Sequence, residues 1–371
     1  MDTIQVEKID KLHEAAEVAV KHALDVKHGE RVLIVTNPPR ETLRIAMALH
    51  NAVYEAGGIP LLLVQPVKTQ LDFADDAVIQ AIASVPDVFI SLSAQKLGKD
   101  RYAISKPYSH EGKSYEHVFH YLMASKQLRA FWSPMATEDM FIRTVPIDYE
   151  RLAKEVQLVK NLLDRAEYVH ITSPGGTDVK IGVRGRTAME DDGNLTFKGA
   201  GGNLPAGETF ISPELDNSEG VIVFDGSVSL HDGDRIVKEP VVLQVKQGFV
   251  IDIKGGEEAR LLQQTIDYGE KRALMFEEQG KLSPGKGEEY KRNARNLGEL
   301  GIGLNPSGTI TGHMLEDEKA YKTCHIAIGS NYDNDAPALI HLDCLIKHPT
   351  IVVEFADGSF HTLLKEGSLQ Q

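Results

Sequence analysis

A histidine and an aspartate separated by one residue are the most suggestive chemical feature of the chain. His341 and Asp343 lie in IHLDCLI (340–346), which has the apolar, β-rich character of a strand. Side chains alternate between the two faces of a strand, so both residues would point to the same face. His325 precedes them in a second strand-like run, CHIAIG (324–329). The pair would suit a divalent metal, but it is also the arrangement of an ordinary hydrogen-bonded pair, and this pattern alone leaves both interpretations open.

Two further carboxylates stand in stretches that otherwise carry little charge. Glu208 lies in GAGGNLPAGETFISP (199–213), where Phe210 and Ile211 predict that the chain turns inward. By itself Glu208 is best interpreted as a solvated loop residue, since glutamate is rarely buried unpaired. Glu299 is the one charge in LGELGIGLNP (297–306) and is either a surface residue at a helix end or a ligand. The denser cluster Glu316-Asp317-Glu318 is interpreted as a solvated turn or as residues that orient metal ligands.

Familiar catalytic motifs are absent from the sequence. His13-Glu14 and His110-Glu111 lack the second histidine of an HExxH zinc motif, and neither GxxxxGK[ST] nor GxSxG occurs. Cys324 and Cys344 are too few for a disulfide framework or a cysteine-based zinc site. Each neighbours a candidate ligand on a predicted strand and would face the opposite way, so both are predicted to be small buried residues.

The first part of the chain alternates strand-like and helix-like segments. A strand, a helix, a strand, a helix and a strand are predicted in turn at RVLIVTNPP (31–39), RETLRIAMALHNAVYEAGG (40–58), IPLLLVQP (59–66), DFADDAVIQAIASV (72–85) and DVFISLS (87–93). This order predicts a doubly wound parallel sheet. The first turn, Asn37-Pro38-Pro39, has no glycine to let a phosphate approach, so no nucleotide site is predicted there.

The second part of the chain is richer in strands. A long amphipathic helix over 148–167 leads into short β-branched runs from Tyr168 to Lys254, then into a helix to about Gly280, a short helix over 290–297 and a final β-rich region. We therefore predict two domains. Residues 1–150 form an α/β, Rossmann-like domain with a parallel sheet and no nucleotide motif, and residues 151–371 form an α+β domain that carries the metal site.

Composition excludes several classes of protein. Among 371 residues, 54 Asp and Glu outnumber 40 Lys and Arg, and the formal net charge of −14 argues against a nucleic-acid partner. The chain is 42% hydrophobic and 25% charged, as in ordinary globular proteins. It has no secretory h-region and no apolar stretch of membrane-spanning length. We expect a cytoplasmic protein with no membrane partner.

Several motifs together resemble the aminopeptidase T family of metallopeptidases, in order and in spacing. They are PMATEDMF (134–141), GTDVKIGVRGR (176–186), NLPAGETFISPE (203–214), GELGIGLNP (298–306), LEDEKAYKTCHIAIGSNY (315–332) and HLD (341–343). The resemblance covers essentially the whole second domain and, more weakly, the first. It implies a metal-dependent aminopeptidase that removes N-terminal residues from small peptides, and it also implies a homodimer.

The same resemblance implies a set of site residues. Two divalent metal ions, Zn²⁺, Co²⁺ or Mn²⁺, would be held by Glu208, Glu299, His325, His341 and Asp343, with Tyr332 where the family has a tyrosine that reaches the metals. Such a centre can polarise a carbonyl and activate water. Glu208 and Tyr332 are the predicted catalytic residues, while Glu316 and Glu318 remain candidates for the general base.

Two other functions stay open from the residues. A ring-cleaving dioxygenase of the dihydroxypyridine type, related in sequence to these peptidases, would need one Fe(II) held by His325, His341 and Asp343. Glu208 and Glu299 favour the dinuclear hydrolase, since a mononuclear iron has no evident need of them. A non-catalytic protein with an idle site is the third hypothesis, although no ligand has been lost.

Two more groups of polar residues are candidates for substrate contacts. Arg184 and Arg186, in VRGRT, are interpreted as surface residues rather than as a site for a substrate carboxylate. His110, His117 and His120 lie in an aromatic-rich segment between the predicted domains. Ordinary helix packing is the preferred interpretation for them, with the wall of a substrate cleft as the alternative.

Overall fold

The computed structural model describes residues 3–69 and 72–370, and residues 1, 2, 70, 71 and 371 lie outside that description. The chain divides into two units. Unit 1 comprises Met1–Ala153 and Asp191–Ala206, and unit 2 comprises Lys154–Glu190 and Gly207–Gln371. The predicted domain boundary between residues 150 and 151 stays a prediction.

The helices of the described residues include one π-helical turn, Ala19–Ala23. The α-helices are α1 (Thr3–Val18), α2 (Arg40–Glu55), α3 (Asp76–Ala83), α4 (Arg101–Ser105), α5 (Val118–Ala124), α6 (Glu138–Thr144), α7 (Tyr149–Leu163), α8 (Glu257–Glu278), α9 (Lys286–Asn293) and α10 (Met314–Asp317).

The strands of the described residues are short, as expected from the β-branched runs. They are β1 (Arg31–Thr36), β2 (Ile59–Val64), β3 (Val88–Leu92), β4 (Tyr108–His110), β5 (Lys113–Tyr115), β6 (Arg129–Trp132), β7 (Ala166–Thr172), β8 (Asp178–Gly182), β9 (Met189–Asp191), β10 (Gly201–Asn203), β11 (Glu208–Ile211), β12 (Ser218–Phe224), β13 (Ser227–Val228), β14 (Arg235–Ile236), β15 (Val241–Lys246), β16 (Phe249–Lys254), β17 (Leu297–Gly303), β18 (Thr323–Gly329), β19 (His341–Lys347), β20 (Thr350–Phe355), β21 (Phe360–Lys365) and β22 (Ser368–Leu369).

Unit 1 is built on a parallel sheet with strand order β10-β6-β3-β1-β2. Strands β1 and β3 are buried almost throughout, because a parallel sheet is covered on both faces. The predicted alternation of strand and helix over residues 31–93 is confirmed, with α2 and α3 between the strands. The α/β class predicted for the first part of the chain is therefore confirmed.

The loop after β1 is held by an asparagine side chain. Asn37 Nδ2 donates to the carbonyls of Gln65 (3.0 Å) and Pro66 (3.1 Å), and its Oδ1 accepts from the Ala94 amide (2.8 Å). These bonds join the ends of three neighbouring strands. The position where a dinucleotide-binding loop uses glycines is occupied here by a structural amide.

Unit 2 contains two large, predominantly antiparallel sheets. One has the order β14-β13-β19-β18-β17-β11-β9, and the other has the order β16-β15-β12-β8-β7-β20-β21-β22. Helices α8, α9 and α10 belong to the same unit. The predicted α+β class is confirmed. In the part of the chain that the structure describes, no helix combines the length and apolarity needed to cross a bilayer.

A buried arginine joins the N-terminal helical region of unit 1 to its sheet. Arg129, at the start of β6, has a side chain that is 3% exposed, and its guanidinium donates to both oxygens of Glu30 (2.9 and 2.7 Å). It also donates to the carbonyl of Leu24 (2.9 Å). Such a planar, bidentate arrangement leaves little of the guanidinium without a partner.

Replacing this arginine should destabilise unit 1. Arg129→Ala removes the guanidinium that pairs with both oxygens of Glu30 and that donates to the buried Leu24 carbonyl, and we expect a loss of about 3 kcal/mol in the free energy of unfolding. The single tryptophan, Trp132, lies in β6, so urea denaturation followed by its fluorescence reports on this unit. Arg101→Ala, which removes a half-exposed partner of Asp76, is the control and should leave the midpoint unchanged. Equal midpoints for the two variants would contradict the role assigned to Arg129.

Candidate metal centre

Four adjacent strands of unit 2 carry the candidate ligands. Glu208 is the first residue of β11, Glu299 lies in β17, His325 in β18, and both His341 and Asp343 in β19. These strands are neighbours in the seven-stranded sheet, in the order β19-β18-β17-β11. The structure thus brings together five side chains that the sequence scatters over more than a hundred positions. The segments around Glu208 and Glu299 are strands, so neither residue is a surface residue of a loop or a helix end.

Small residues separate the candidate ligands across the sheet. Gly301 pairs with His325, and Ala327 pairs with both Glu299 and Asp343, in register. Opposed residues in neighbouring strands point to the same face. All the ligands therefore share one face of the sheet, and the glycine and alanine between them leave room for their side chains.

Glu299 lies between the two histidines. Its Oε1 is 3.2 Å from His325 Nε2, and its Oε2 is 3.1 Å from His341 Nε2. His341 Nε2 is also 3.2 Å from Asp343 Oδ1, and His325 Nε2 is 3.6 Å from Glu208 Oε2. The donor atoms form two groups, each within 4.8 Å, that share Glu299: Glu208, Glu299 and His325 in one, and Glu299, His341 and Asp343 in the other.

The two donor groups do not match the iron triad of His325, His341 and Asp343 that the sequence suggests. Among the described residues, His325, His341 and Asp343 do not form one such group. Glu299 connects His325 to the pair on β19 instead. A single ion on the His341 side would therefore draw on Glu299 as well as on the predicted HxD pair.

The donors are buried, and some of their atoms lack partners. Glu208, Glu299 and His325 are 6%, 3% and 1% exposed. Among the described residues, Glu208 Oε2 and His325 Nδ1 are buried without a hydrogen-bond partner. Buried carboxylates and imidazoles with unused lone pairs are costly unless an ion or a ligand satisfies them. Imidazole and carboxylate donors suit a divalent transition metal, so these residues fit a metal ion. The interpretation of Glu208 as a solvated loop residue is wrong, because its neighbours Phe210 and Ile211 continue inward as β11.

The charges of these groups depend strongly on one another. Burial opposes ionisation of His325, but Glu299 and Glu208 raise its pKa to about 10. Burial likewise opposes ionisation of His341, but Asp343 and Glu299 hold its pKa well above the usual range. Burial would raise the pKa of Asp343, but His341 lowers it to about 2. Without a metal ion, positive imidazoles are thus the partners of the carboxylates.

A lysine that the sequence analysis did not single out joins this cluster. Lys319 is fully buried, and its Nζ donates to Glu208 Oε1 (2.9 Å) and to Glu318. Its position in LEDEKA just before β18 was the one feature of the sequence that could have indicated a role in the site. A lysine among acidic residues, however, normally indicates a solvated segment. Burial of this segment makes Lys319 part of the site.

Glu316 and Asp317 of the acidic cluster around α10 are buried and Glu318 is half-buried, so the interpretation of this cluster as a solvated turn is wrong. Glu316 accepts from the amide and hydroxyl of Thr309 (2.7 and 3.0 Å), and Asp317 accepts from the amides of Thr311 (2.7 Å) and Gly312 (2.9 Å). Buried carboxylates that accept backbone amides hold a loop in place. Glu316, a candidate general base, is thus engaged in holding the loop, whereas Glu318 contacts Lys319.

Tyr332 lies in the connection between β18 and β19. Its ring packs against Phe210, with centroids 5.0 Å apart, and against the His341 ring at 5.4 Å. The residue is 51% exposed. It therefore forms an aromatic edge next to the cluster, and its role as a metal ligand stays a prediction.

The two candidate arginines differ in environment. Arg184 is exposed and pairs with Glu214 (3.3 Å), as expected of a surface residue. Arg186 is half-buried: its side chain is 13% exposed and pairs with Asp335 (2.8 Å) and Asp333 (3.5 Å). These aspartates directly follow Tyr332 in the chain. Arg186 thus anchors the segment that carries the aromatic edge.

The histidines of the aromatic-rich segment belong to unit 1. His117 is buried and caps α5, where its Nδ1 accepts from the Phe119 amide (3.3 Å), and burial lowers its pKa to about 4. His120 packs against the Phe119 ring at 3.9 Å. Helix packing is confirmed for His117, whereas His120 is exposed and lines a cavity of about 440 Å³, so its interpretation stays a prediction. His110, on β4, is half-buried.

Both cysteines are free and buried, as predicted. Burial raises the pKa of the Cys324 thiol and of the Cys344 thiol. A buried thiol with a raised pKa is a poor nucleophile. Cysteine chemistry is therefore not supported at this site.

Comparisons with known proteins assign the family. The NicX family model, described as 2,5-dihydroxypyridine 5,6-dioxygenase, matches residues 133–331, which is more than half of the chain. A curated 2,5-dihydroxypyridine 5,6-dioxygenase from Pseudomonas putida KT2440 is 25% identical over 130 residues, which are 35% of this chain and 37% of the relative. The aligned part is thus little more than a third of that relative's length.

Solved structures give the same fold. The structure of 2,5-dihydroxypyridine dioxygenase from Pseudomonas putida KT2440 matches with a TM-score of 0.70 and 16% identity, over 98% of this chain and 97% of the other. Wild-type AmpT from Thermus thermophilus matches with a TM-score of 0.68 and 18% identity, over 98% and 99%. At such identities the likeness concerns the fold alone. The resemblance to the aminopeptidase T family is therefore confirmed for the fold.

The aminopeptidase expected from the sequence is wrong as a function. The family model and the curated relative are both described as a dioxygenase. A dioxygenase is an oxidoreductase and not a hydrolase or protease. The prediction of a hydrolase depended on Glu208 and Glu299, which were expected to hold a second metal ion. The structure shows that they cluster with the histidines, but the clustering itself favours no reaction. The donor groups and the family together indicate a metal, whereas a pair of divalent ions stays a prediction.

Metal binding should release protons. Imidazole must be neutral to bind a metal, and the pKa values of His325 and His341 are raised, so a bound ion displaces protons from this cluster. We expect the apparent affinity for Zn²⁺ or Mn²⁺ to rise with pH between about 6 and 8, by roughly tenfold per pH unit for each proton released. Isothermal titration calorimetry in buffers of different ionisation enthalpy measures that release. An affinity that is flat over this range would contradict the charge states described.

Gly301 is required by the position of the His325 ring. A Cβ on residue 301 would lie 2.0 Å from His325 Cε1 and 2.1 Å from Nε2. Gly301→Ala must therefore displace the ring from Glu299, which it contacts at 3.2 Å. We expect metal affinity to fall by about 10–100-fold, as when a residue that orients a metal ligand is disturbed. Cys324→Ala, on the opposite face of β18, is the control and should bind metal like the wild type. Circular dichroism checks that both variants fold, and unchanged affinity in a folded Gly301→Ala protein would show that His325 does not orient Glu299.

Proposed function

The chain belongs to the 2,5-dihydroxypyridine 5,6-dioxygenase (NicX) family, and from that premise we propose that it is a metal-dependent dioxygenase that opens a hydroxylated pyridine-type ring. The observation that carries the proposal is the buried set of imidazole and carboxylate donors around Glu299. The part of the chain that matches the family model contains Glu208, Glu299 and His325.

The metal in this proposal is one Fe(II) ion held by Glu299, His341 and Asp343. Mixed imidazole and carboxylate donors are typical of non-haem iron oxygenases. When bound, iron supplies the redox chemistry that allows dioxygen to react with an aromatic ring. The β19 pair contributes two donors from one rigid strand, and Glu299 contributes the third from β17, two strands away.

Glu208 is the proposed proton-transfer residue. Burial raises its pKa to about 8, although the Lys319 ammonium opposes that shift. A carboxyl group that titrates near neutral pH can take a proton from a ring hydroxyl and return it later. Its Oε1 accepts from Lys319, whereas its Oε2 is buried without a hydrogen-bond partner among the described residues and is the oxygen proposed to exchange the proton.

Tyr332 and Phe210 are the proposed wall for the substrate ring. Their rings pack at 5.0 Å, and that of Tyr332 also contacts His341. Flat aromatic compounds stack on such surfaces, which also keep water from the reacting bond. Arg186 holds this wall through Asp333 and Asp335. The proposed small-molecule partner is thus a ring compound, and the homodimer and the cytoplasmic location stay predictions.

Oxygen uptake tests the reaction. Protein loaded anaerobically with Fe²⁺ should consume dioxygen and 2,5-dihydroxypyridine in equal amounts, with loss of the ring absorbance. His341→Ala removes a ligand and should lower this rate by more than about 100-fold. His170→Ala removes a half-exposed histidine elsewhere in unit 2 and should keep the wild-type rate.

Two results would contradict the proposed reaction. If iron-loaded wild type takes up no dioxygen with any hydroxylated pyridine or benzene ring in a panel, the ring-cleaving reaction is wrong for this chain. Uptake that His341→Ala retains in full would place the reaction away from this cluster.

A further inference from the structure

Lys319 places its side-chain amine beside the candidate metal centre, against Glu208 and Glu318. It is fully buried, and its Nζ donates to Glu208 Oε1 at 2.9 Å and to Glu318. The other oxygen of Glu208 faces His325 Nε2 at 3.6 Å. The carboxylate of Glu208 is thus shared between an ammonium group and an imidazole.

The backbone fixes this lysine in place. The Asn305 amide donates to the Lys319 carbonyl (2.8 Å), and the Lys319 amide donates to the Glu316 carbonyl (3.0 Å). Gly303 lets the segment lie close against β17, since a Cβ at that position would be 2.2 Å from the Ala320 carbonyl oxygen. The ammonium is therefore set in place by the fold and is not a mobile side chain that happens to reach the site.

The two donor groups consequently differ in charge. A metal ion in the group of Glu208, Glu299 and His325 would share the Glu208 carboxylate with the ammonium of Lys319. Two cations on one carboxylate repel each other, and burial strengthens that repulsion because little water screens it. In the group of Glu299, His341 and Asp343, the acidic ligands come from β17 and β19 and the ion would not depend on Glu208.

We propose that Lys319 takes the place of a second metal ion beside Glu208, so that the centre holds one divalent ion on the His341 side. Lys319 is then a positioning residue that sets the metal count and holds Glu208 by one oxygen. This inference rests on the metal site of the proposed function. It goes beyond that function because it assigns to one side chain the choice between a mononuclear and a dinuclear centre.

The number of bound ions tests the proposal without any activity measurement. Metal-free wild type is titrated with Zn²⁺ and, separately, Mn²⁺, desalted and analysed for metal, and it should retain about one equivalent. Lys319→Met keeps the length of the side chain and removes its charge. That variant should retain about two equivalents, since Glu208, Glu299, His325 and Glu318 are then free to hold a second ion.

Two further variants serve as a control and as an independent test. Lys180→Met removes a half-exposed lysine that pairs with Glu354 in the same unit, and it should keep about one equivalent. Glu208→Gln should also keep about one equivalent, with affinity within about threefold of wild type, because Glu208 lies outside the group that holds the ion. This variant tests the proposal even if Lys319→Met does not fold, as judged by circular dichroism.

Each outcome decides for or against Lys319. Two equivalents in the wild type, one equivalent in a folded Lys319→Met protein, or loss of an ion in Glu208→Gln would each overturn the proposal. One ion in the wild type and two in Lys319→Met, without oxygen uptake on any ring compound, would support this inference and refute the proposed reaction. Two ions in a wild type that consumes dioxygen would do the reverse.

Discussion

The candidate site depends on the cost of burying negative charge. Glu208, Glu299 and Asp343 lie together on one sheet face, with Glu318 close by, in surroundings that water hardly reaches. Uncompensated carboxylates would not stay ionised there. The fold supplies positive partners from neighbouring strands and from the buried segment after α10. Most features of unit 2 near the site serve this compensation.

The sheet makes the cluster possible because small residues alternate with functional ones. Gly301 lies under the His325 ring, Ala327 separates Glu299 from Asp343, and Gly303 admits the segment that carries Lys319. Larger side chains at these positions would fill the space over the sheet. The glycine-rich run LGELGIGLNP is therefore a strand whose glycines are needed for steric reasons, and its one charge is directed into the site.

The same donors can serve hydrolysis or oxygen chemistry, and for this reason the residue types misled the functional prediction. Two histidines and three carboxylates match a pair of hydrolytic metal ions as well as they match one ion with charged neighbours. The choice depends on how many cations the cluster admits and on which group faces the substrate. A buried lysine among the carboxylates adds a positive charge that the expected ligands do not supply by themselves.

Local patterns in the sequence predicted many of the elements and most of the donors. Periodicity predicted the parallel sheet of residues 31–93, and the two-residue period of strands predicted that His341 and Asp343 share a face. Three facts emerged from the folded structure alone: Glu208 and Glu299 are buried beside His325, MLEDEKA is largely buried, and Lys319 joins the site. These facts depend on the register between strands that are far apart in the chain. Local pattern carries little information about that register, because it is set by packing across the whole sheet.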